Sequence, residues 1–364
     1  MFKRLQQLVQ QMNEQHISNQ LISDPSSIRY FTDYHTDPGE RLLLLVIYKD
    51  GTGDLYLNRL FPRPQLDPAF KESIRIHYYN DGEPILEIIA NNLHSGQSGI
   101  DKFWPAHFLL DLIAISSDLI PVNNSFIVDD IRGIKSEEEQ AIMRDASAFN
   151  DQAMERLIDL VQFGYSEIEM KDHLSDIYQG LNQNGFSFEP IIAYGPNGAD
   201  PHHTTSNHKP DYGDTVVIDI GAIHQNYASD MTRTVFYGQP SDHALKVYET
   251  VRAANQAAID IIKPGVTFKE IDLAARNVIE EAGLGKFFTH RTGHFIGQEC
   301  HEAGDVSQFN TATCQVGQVF SIEPGIYLPG KLGVRIEDLV IVTEDGCEVI
   351  NHFTKEPLII EPKH

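Results

Sequence analysis

Two acids interrupt stretches that otherwise read as buried strands. Asp219 breaks the β-branched run Val216-Val217-Ile218-Asp219-Ile220, and Asp230 lies within a second strand-like stretch, Tyr227 to Tyr237. A connecting turn centred on His224-Gln225 would set Asp219 opposite Asp230, with Cβ atoms about 5 Å apart. The pattern recurs where Val319 to Glu323 and Gly333 to Val342 flank Pro329-Gly330-Lys331. Centring that loop on Gly330 places Glu323 opposite Glu337, and Arg335, two residues before Glu337, shares its face. Like charges opposed on a sheet repel, and burying them unpaired costs several kcal/mol each, so a positive group belongs between them. A lone acid on a strand is most simply solvent-facing; two coincident pairings argue for a metal pair instead. Carboxylate oxygens suit Mn²⁺, Mg²⁺ or Co²⁺, with bridging carboxylates holding two ions about 3.5 Å apart. One imidazole ligand would tilt that preference from Mg²⁺ towards Mn²⁺, Co²⁺ or Zn²⁺.

Histidines supply such a ligand. His290, His294 and His301 fall in Thr289-His290-Arg291-Thr292-Gly293-His294-Phe295-Ile296-Gly297, continuing to Cys300-His301-Glu302. Periodicity leaves open which of them binds metal: 294 and 301 face opposite ways on an unbroken strand, so a turn or bulge must intervene if both reach one site. His202, His203 and His208 form a second polar cluster, which on its own reads as a solvated loop. There is no GxSxG elbow, phosphate loop, dinucleotide fingerprint or HExxH motif.

Helices and strands must position these groups. Phe2, Leu5, Leu8, Val9 and Met12 recur at helical spacing, and Leu42 to Tyr48 followed by Asp50-Gly51 predicts a buried strand ending in a turn. Ile85 to Leu93 and Phe108 to Ile115 read as helices between short strands, which gives an α/β N-terminal region. Ser136 with Glu139, Ser166 with Glu169 and Thr267 with Glu270 are capping-box patterns that open helices. The expected domains are 1–130 and 131–364, the second containing helices and β-rich stretches.

Bulk properties exclude some classes. The chain has 364 residues, 28 basic against 52 acidic, and a formal charge of −24, which disfavours nucleic acid or anionic membrane as a partner. Apolar runs fall far short of the roughly 20 residues that span a bilayer. Lys3 and Arg4 are followed by Gln6, Gln7, Gln10 and Gln11 rather than a secretory apolar core, and Cys300, Cys314 and Cys347 are scattered. A cytoplasmic protein is expected.

Taken together, Asp219-Ile220-Gly221, Ser229-Asp230-Met231-Thr232-Arg233-Thr234, Gly293-His294, His301-Glu302, Glu323-Pro324-Gly325 and Val334-Arg335-Ile336-Glu337-Asp338 form an ordered set over about 120 residues. That set resembles the creatinase/prolidase/methionine aminopeptidase superfamily. The likeness extends to the N-terminal region through Ile28-Arg29-Tyr30-Phe31-Thr32-Asp33 and Thr36-Asp37-Pro38-Gly39-Glu40-Arg41, and is greatest to the proline dipeptidases (prolidases) of lactic acid bacteria. It implies a creatinase-like α/β N-terminal domain followed by an α+β pita-bread catalytic domain.

The resemblance also implies roles. Asp219 would chelate one metal, His294 and Glu323 the other, and Asp230 and Glu337 would bridge them; Mn²⁺ is the expected ion, with Co²⁺ or Zn²⁺ as alternatives. Xaa-Pro dipeptides would be cleaved by a metal-bridging hydroxide, with Glu323 moving the proton and His202 and His301 bonding the substrate carbonyl and developing oxyanion. His290 would face the substrate, and Arg335 would neutralise site carboxylates or seat the substrate carboxylate. A homodimer is implied, with the charged loop Asp33 to Arg41 capping a neighbouring site. The alternatives are an aminopeptidase P acting on longer peptides and a non-catalytic pita-bread peptide-binding module.

Three positions depart from the family pattern. Phe295 replaces a small glycine beside the metal histidine, Gly304 stands where proline is common, and Asp305 stands where some prolidases carry a basic residue. They spare the metal ligands and weaken the inference from the resemblance to a substrate preference.

Overall fold

The run Leu42 to Tyr48 is apolar at every position because both faces of its strand are covered. In the computed structural model, which describes residues 2–363, Leu43, Leu45 and Ile47 enter one core cluster and Leu44, Val46 and Tyr48 another. A strand buried on two sides loses the alternation of a half-exposed one. The strands of this first unit are β1 (Ile17–Ile22), β2 (Leu43–Tyr48), β3 (Gly53–Asn58), β4 (Ile74–Tyr79), β5 (Gly96–Ile100) and β6 (Leu119–Asn123). They form one mixed sheet in the order β4-β3-β2-β1-β5-β6. The expected helices are present as Phe2–Glu14, Ile85–Asn92 and Ala106–Ile115.

The chain divides after Arg132 into units Met1–Arg132 and Gly133–His364. This division lies two residues beyond the sequence-based one, in the last turn of the helix Phe126–Gly133. Arg132 is buried and belongs to the first unit, where its guanidinium lies 3.2 Å from Asp24.

In the second unit, two helix pairs each pack on a mainly antiparallel sheet. All three predicted capping boxes are formed, opening the helices Glu137–Val161, Glu167–Gly180 and Phe268–Glu281. Each box satisfies two otherwise orphaned N–H groups. The first pair, Glu137–Val161 with Glu167–Gly180, covers a sheet containing β7 (Ile191–Tyr194), β8 (Asp214–Ile220) and, after the short hairpin β9 (Ile223–His224) and β10 (Tyr227–Ala228), β11 (Met231–Tyr237). The second pair, Asp242–Asp260 with Phe268–Glu281, covers strands from the later part of the chain. These are β12 (Gly293–Phe295), β13 (Glu302–Val306), β14 (Val319–Ile322), β15 (Gly325–Leu328), β16 (Leu332–Arg335), β17 (Asp338–Val342) and β18 (Cys347–Val349). A final strand, β19 (Ile359–Ile360), returns to the edge of β11.

One device recurs in both halves. Asn150, in the middle of the first long helix, donates to the carbonyl of Ile220 at 2.8 Å, and Asn255, in the helix Asp242–Asp260, donates to the carbonyl of Ile322 at 2.9 Å. Asparagine is a poor residue for a helix interior, but each of these is fully buried and clasps the backbone next to a candidate metal-binding acid, Asp219 or Glu323.

Candidate functional site

The two acid-bearing hairpins differ in how closely they follow their predicted register. Across β8 and β11 Asp219 pairs with Thr232, not Asp230. The turn is centred one residue later than expected, on Gln225 and Asn226, both with positive φ (46° and 68°), as a two-residue primed hairpin turn requires. Moving the centre by one residue moves the register by two, so the faces are unchanged and Asp230 remains a diagonal neighbour of Asp219. In the second hairpin, Ile322 pairs with Asp338 and Gly325 with Arg335, which leaves Glu323 and Glu337 facing one another in the gap between the two ladders, as predicted.

The third element brings the histidines together. Gly293 precedes His294 because a Cβ there would lie 1.8 Å from the carbonyl oxygen of Ser321. The β12–β13 pairing shifts register between His294 and Phe295, and the intervening chain bends back so that the rings of His294 and His301 lie 4.1 Å apart. The Glu302 carboxylate pins this bend, accepting from Lys135 at 3.0 Å and from the Gln298 N–H at 3.0 Å.

Asp219, Asp230, His294, Glu323 and Glu337 line one cleft of about 330 Å³, together with His202, His290, His301 and Arg335. His203 faces elsewhere, with its ring 2.8 Å from Glu167. All nine residues singled out as site candidates therefore meet.

The electrostatics of the acids separate structural from unsatisfied groups. Asp338 is buried but receives Arg233 at 2.7 Å and Lys355 at 2.8 Å, and these cations outweigh burial to hold it below the usual carboxylate range. The carboxylate of its neighbour Glu337 accepts one hydrogen bond among the described residues, from the Thr232 hydroxyl at 2.9 Å. Burial, then Asp230, Glu323 and Asp219, push Glu337 well above its ordinary pKa. Asp230 is pushed up in the same way, by burial, Asp219 and Glu323. Asp219 is also raised by burial, an effect only partly offset by Arg335. Burial acts upwards on Glu323 too, but His294, His290 and the two arginines outweigh it and hold it low.

One oxygen of each of Asp219, Asp230 and Glu337 is buried without a hydrogen-bond partner. Such orphans are rare because each costs the full desolvation penalty of the group. The His294 Nδ1 lies 3.1 Å from the Phe295 carbonyl, which can only accept, so Nδ1 carries the proton and Nε2 presents a lone pair. That Nε2 is 3.5 Å from both Asp230 Oδ2 and Glu323 Oε1, too long for good hydrogen bonds but a natural separation for donors around one ion. Four carboxylates around the buried guanidinium of Arg335, with Arg291 at the exposed side, three orphaned oxygens and an imidazole lone pair fit divalent cations.

Several supporting residues carry no sequence signal. Arg335 donates to Asp219 at 2.6 Å, to Thr232 at 3.0 Å and to Tyr327 at 2.9 Å. The Tyr327 hydroxyl lies 2.8 Å from His290 Nε2, while His290 Nδ1 lies 2.6 Å from the Arg291 carbonyl, so both nitrogens of this histidine are engaged by protein. Partial burial, followed by the neighbouring His294, pushes the still accessible His301 down to about 4. Buried Glu167 holds the loop carrying His202, accepting from Tyr194 N (3.1 Å), Asn197 (2.8 Å) and Ser206 N (2.8 Å) besides His203. These partners are ordinary residue types joined by long-range contacts. Nothing in the sequence marked Glu167, which only adjoins the capping box of Ser166 and Glu169.

The three departures from the family pattern lie outside the lining of the cleft. Phe295 is 5 % exposed and packs in the core against Phe268 and Phe320. Its ring lies 2.6 Å from where a Cβ at Gly304 would sit, and Gly304 has φ of +112°. Phe295 and Gly304 are thus one coordinated core change, since the ring fills the space a side chain at 304 would need. Asp305 accepts from Ser307 at 3.0 Å, and like Phe295 and Gly304 it is not among the residues lining the cleft.

Comparison with known proteins agrees with this geometry. Residues 141–344 match the model of metallopeptidase family M24, and residues 4–134 match the creatinase/prolidase N-terminal domain. An uncharacterized peptidase of Staphylococcus aureus is 34% identical over 359 residues, covering 97% of this chain and 99% of its own. The structure of a Xaa-Pro dipeptidase from Bacillus anthracis superposes with TM-score 0.87 at 29% identity, covering 98% of this chain and 99% of that one. An X-Pro aminopeptidase from Thermotoga maritima gives TM-score 0.80 at 28% identity, with 95% and 98% covered. With more than half of the chain matched and the acids and histidine gathered in one cleft, the protein belongs to metallopeptidase family M24, with a creatinase/prolidase-type domain preceding the catalytic one.

Proposed function

We propose that the protein is an Xaa-Pro dipeptidase using two divalent cations, of which Mn²⁺ is the first choice. The observation that carries the reading is the set of three orphaned carboxylate oxygens on acids lining one cleft, two of which, Asp230 and Glu337, offer ligand atoms within 4.8 Å of one from His294. Asp219 would hold one ion, His294 and Glu323 the other, and Asp230 and Glu337 both. When bound, the ions would supply a water nucleophilic at neutral pH and polarise the scissile carbonyl.

The remaining chemistry belongs to side chains of this chain. Glu323, kept ionised by its cationic neighbours, accepts the proton of the attacking water and delivers it to the departing proline nitrogen. His301, neutral at working pH, donates one N–H to the carbonyl oxygen, and His202 steadies the growing negative charge. Arg335 holds Asp219 rather than the substrate. Tyr327 fixes His290 in the cleft wall, and Phe188 and Ile191 offer an apolar wall suited to a proline ring.

A cytoplasmic homodimer completes the proposal. Free cysteines at 300, 314 and 347 accord with a reducing compartment, and no helix among the described residues is long and apolar enough to cross a membrane. The test is hydrolysis by Mn²⁺-loaded protein of Xaa-Pro against Xaa-Pro-Yaa. Preference for the dipeptide supports the proposal, and preference for the longer peptide would make the protein an aminopeptidase P. Metal uptake without cleavage of either would leave a binding module.

A further inference from the structure

Cys300 has no part in the mechanism above, yet it borders the metal-binding acids. It is 7 % exposed, lines the cleft, and its Sγ lies 3.2 Å from Asp230 Oδ2. It also belongs to a second cluster of donors. His294, Cys300 and His301 each offer one ligand atom, and these atoms all lie within 4.8 Å of one another. Among the described residues the His301 ring has no hydrogen-bond partner, so its nitrogens are free to turn towards an ion.

We propose that His294, Cys300 and His301 form a distinct position for one thiophilic divalent cation, such as Zn²⁺ or Cd²⁺, which competes with the carboxylate site for His294. The donor chemistry separates the two positions. Oxygen ligands suit Mn²⁺, whereas one sulfur and two imidazoles select softer ions in a four-coordinate arrangement with one place left for solvent. Donors around such an ion, with metal–sulfur near 2.3 Å and metal–nitrogen near 2.0 Å, lie roughly 3.5 Å apart, so the cluster must close by no more than about 1.3 Å. His301 is exposed and can supply that movement. Binding forms a sulfur–metal bond and releases the thiol proton to solvent, with no change of oxidation state. Because Nδ1 of His294 is tied to a carbonyl, its single Nε2 lone pair serves one position at a time. A soft ion held by sulfur therefore takes this imidazole from the acids and inhibits the enzyme.

The test uses the full chain loaded with Mn²⁺ and titrated with Cd²⁺, following the ultraviolet thiolate-to-cadmium charge-transfer band and free Mn²⁺ by electron paramagnetic resonance. One Cd²⁺ per chain should raise the band while releasing Mn²⁺. Cys300→Ser and Cys300→Val should each lose the band although Cys314 and Cys347 remain. His301→Ala should weaken Cd²⁺ binding by at least about tenfold, since even residues outside a ligand shell cost that much when mutated. No band in the unaltered protein, or a band surviving in both Cys300 variants, overturns the proposal. A Cys300-dependent band with all Mn²⁺ retained overturns the competition. Neither readout involves a peptide, so failure to cleave Xaa-Pro bonds would count against the proposed activity and leave this position standing.

Discussion

Arg335 places its Nη2 atom 2.6 Å from Oδ2 of Asp219, inside the cleft and away from bulk water. This ion pair joins the two acid hairpins, and it leaves the other Asp219 oxygen, Oδ1, without a protein partner. Removing one member of a buried pair costs about 3–5 kcal/mol because the other is stranded. Arg335→Met should therefore destabilise the metal-free protein by about that much, and the metal-loaded protein clearly less. Urea unfolding with and without Mn²⁺ measures both; equal losses would refute a metal at Asp219.

Among the described residues Asp230 forms no ion pair with lysine or arginine, and His294 Nε2 lies 3.5 Å from its Oδ2. Asp230→Asn puts a neutral amide in place of a carboxyl whose ionisation is opposed by burial and by Asp219 and Glu323. It should abolish turnover and metal retention yet stabilise the metal-free fold at neutral pH by about 1–3 kcal/mol, the scale of an unsatisfied buried polar group. A destabilised metal-free variant would mean that Asp230 has a structural partner instead.

The same crowding sets a pH dependence. Asp230 and Glu337 have folded-state pKa values raised well above the ordinary ones, so the metal-free folded state holds protons that the unfolded chain has released. Where the folded state binds more protons, stability falls as pH rises. The metal-free melting temperature should therefore drop as pH rises beyond the ordinary carboxylate range, about pH 4, and Mn²⁺ should raise it more at higher pH. Thermal melts across that range, with and without chelator, test the sign.

Phe295 and Gly304 should behave as a unit. Phe295→Ala opens a core cavity and should cost about 3–5 kcal/mol, while Gly304→Ala meets the ring and a φ of +112°. Contacting sites depart from additivity by about 0.5–3 kcal/mol; here the double variant should lose less than the two single losses combined. A double-mutant cycle measured by chemical denaturation decides this, and KM should hardly move in any of the three.

Glu167→Gln keeps the shape of the clasp on the His202 loop but removes its charge. Turnover should fall by about tenfold to a hundredfold, no more than the loss of an oxyanion contact itself would cause, with KM and bound metal nearly unchanged. His202→Ala combined with Glu167→Gln should be no slower than His202→Ala alone; additive losses would show that Glu167 acts elsewhere.

Much of this was legible in the chain. Acids amid β-branched residues marked both hairpins, and side-chain alternation kept Asp219 and Asp230 on one face even though the turn at Gln225-Asn226 moved the register by two. The longer Pro329-Gly330-Lys331 loop, whose length fixes register less firmly, nonetheless placed Glu323 opposite Glu337. The capping boxes were legible because they are local. Cys300, Tyr327, Thr232 and Glu167 were not, since their importance depends on neighbours distant in sequence. Phe295 misled because adjacency to His294 in sequence put it on the opposite face, towards the core.

The clasp of Asn150 on Ile220, and of Asn255 on Ile322, ties each long helix to the backbone immediately before or after an acid of the cleft. A cation bound there is thereby anchored to the hydrophobic interior of both halves. Heating that unseats either helix should release the cation in the same transition rather than earlier, so metal loss and melting of this domain would report a single cooperative event.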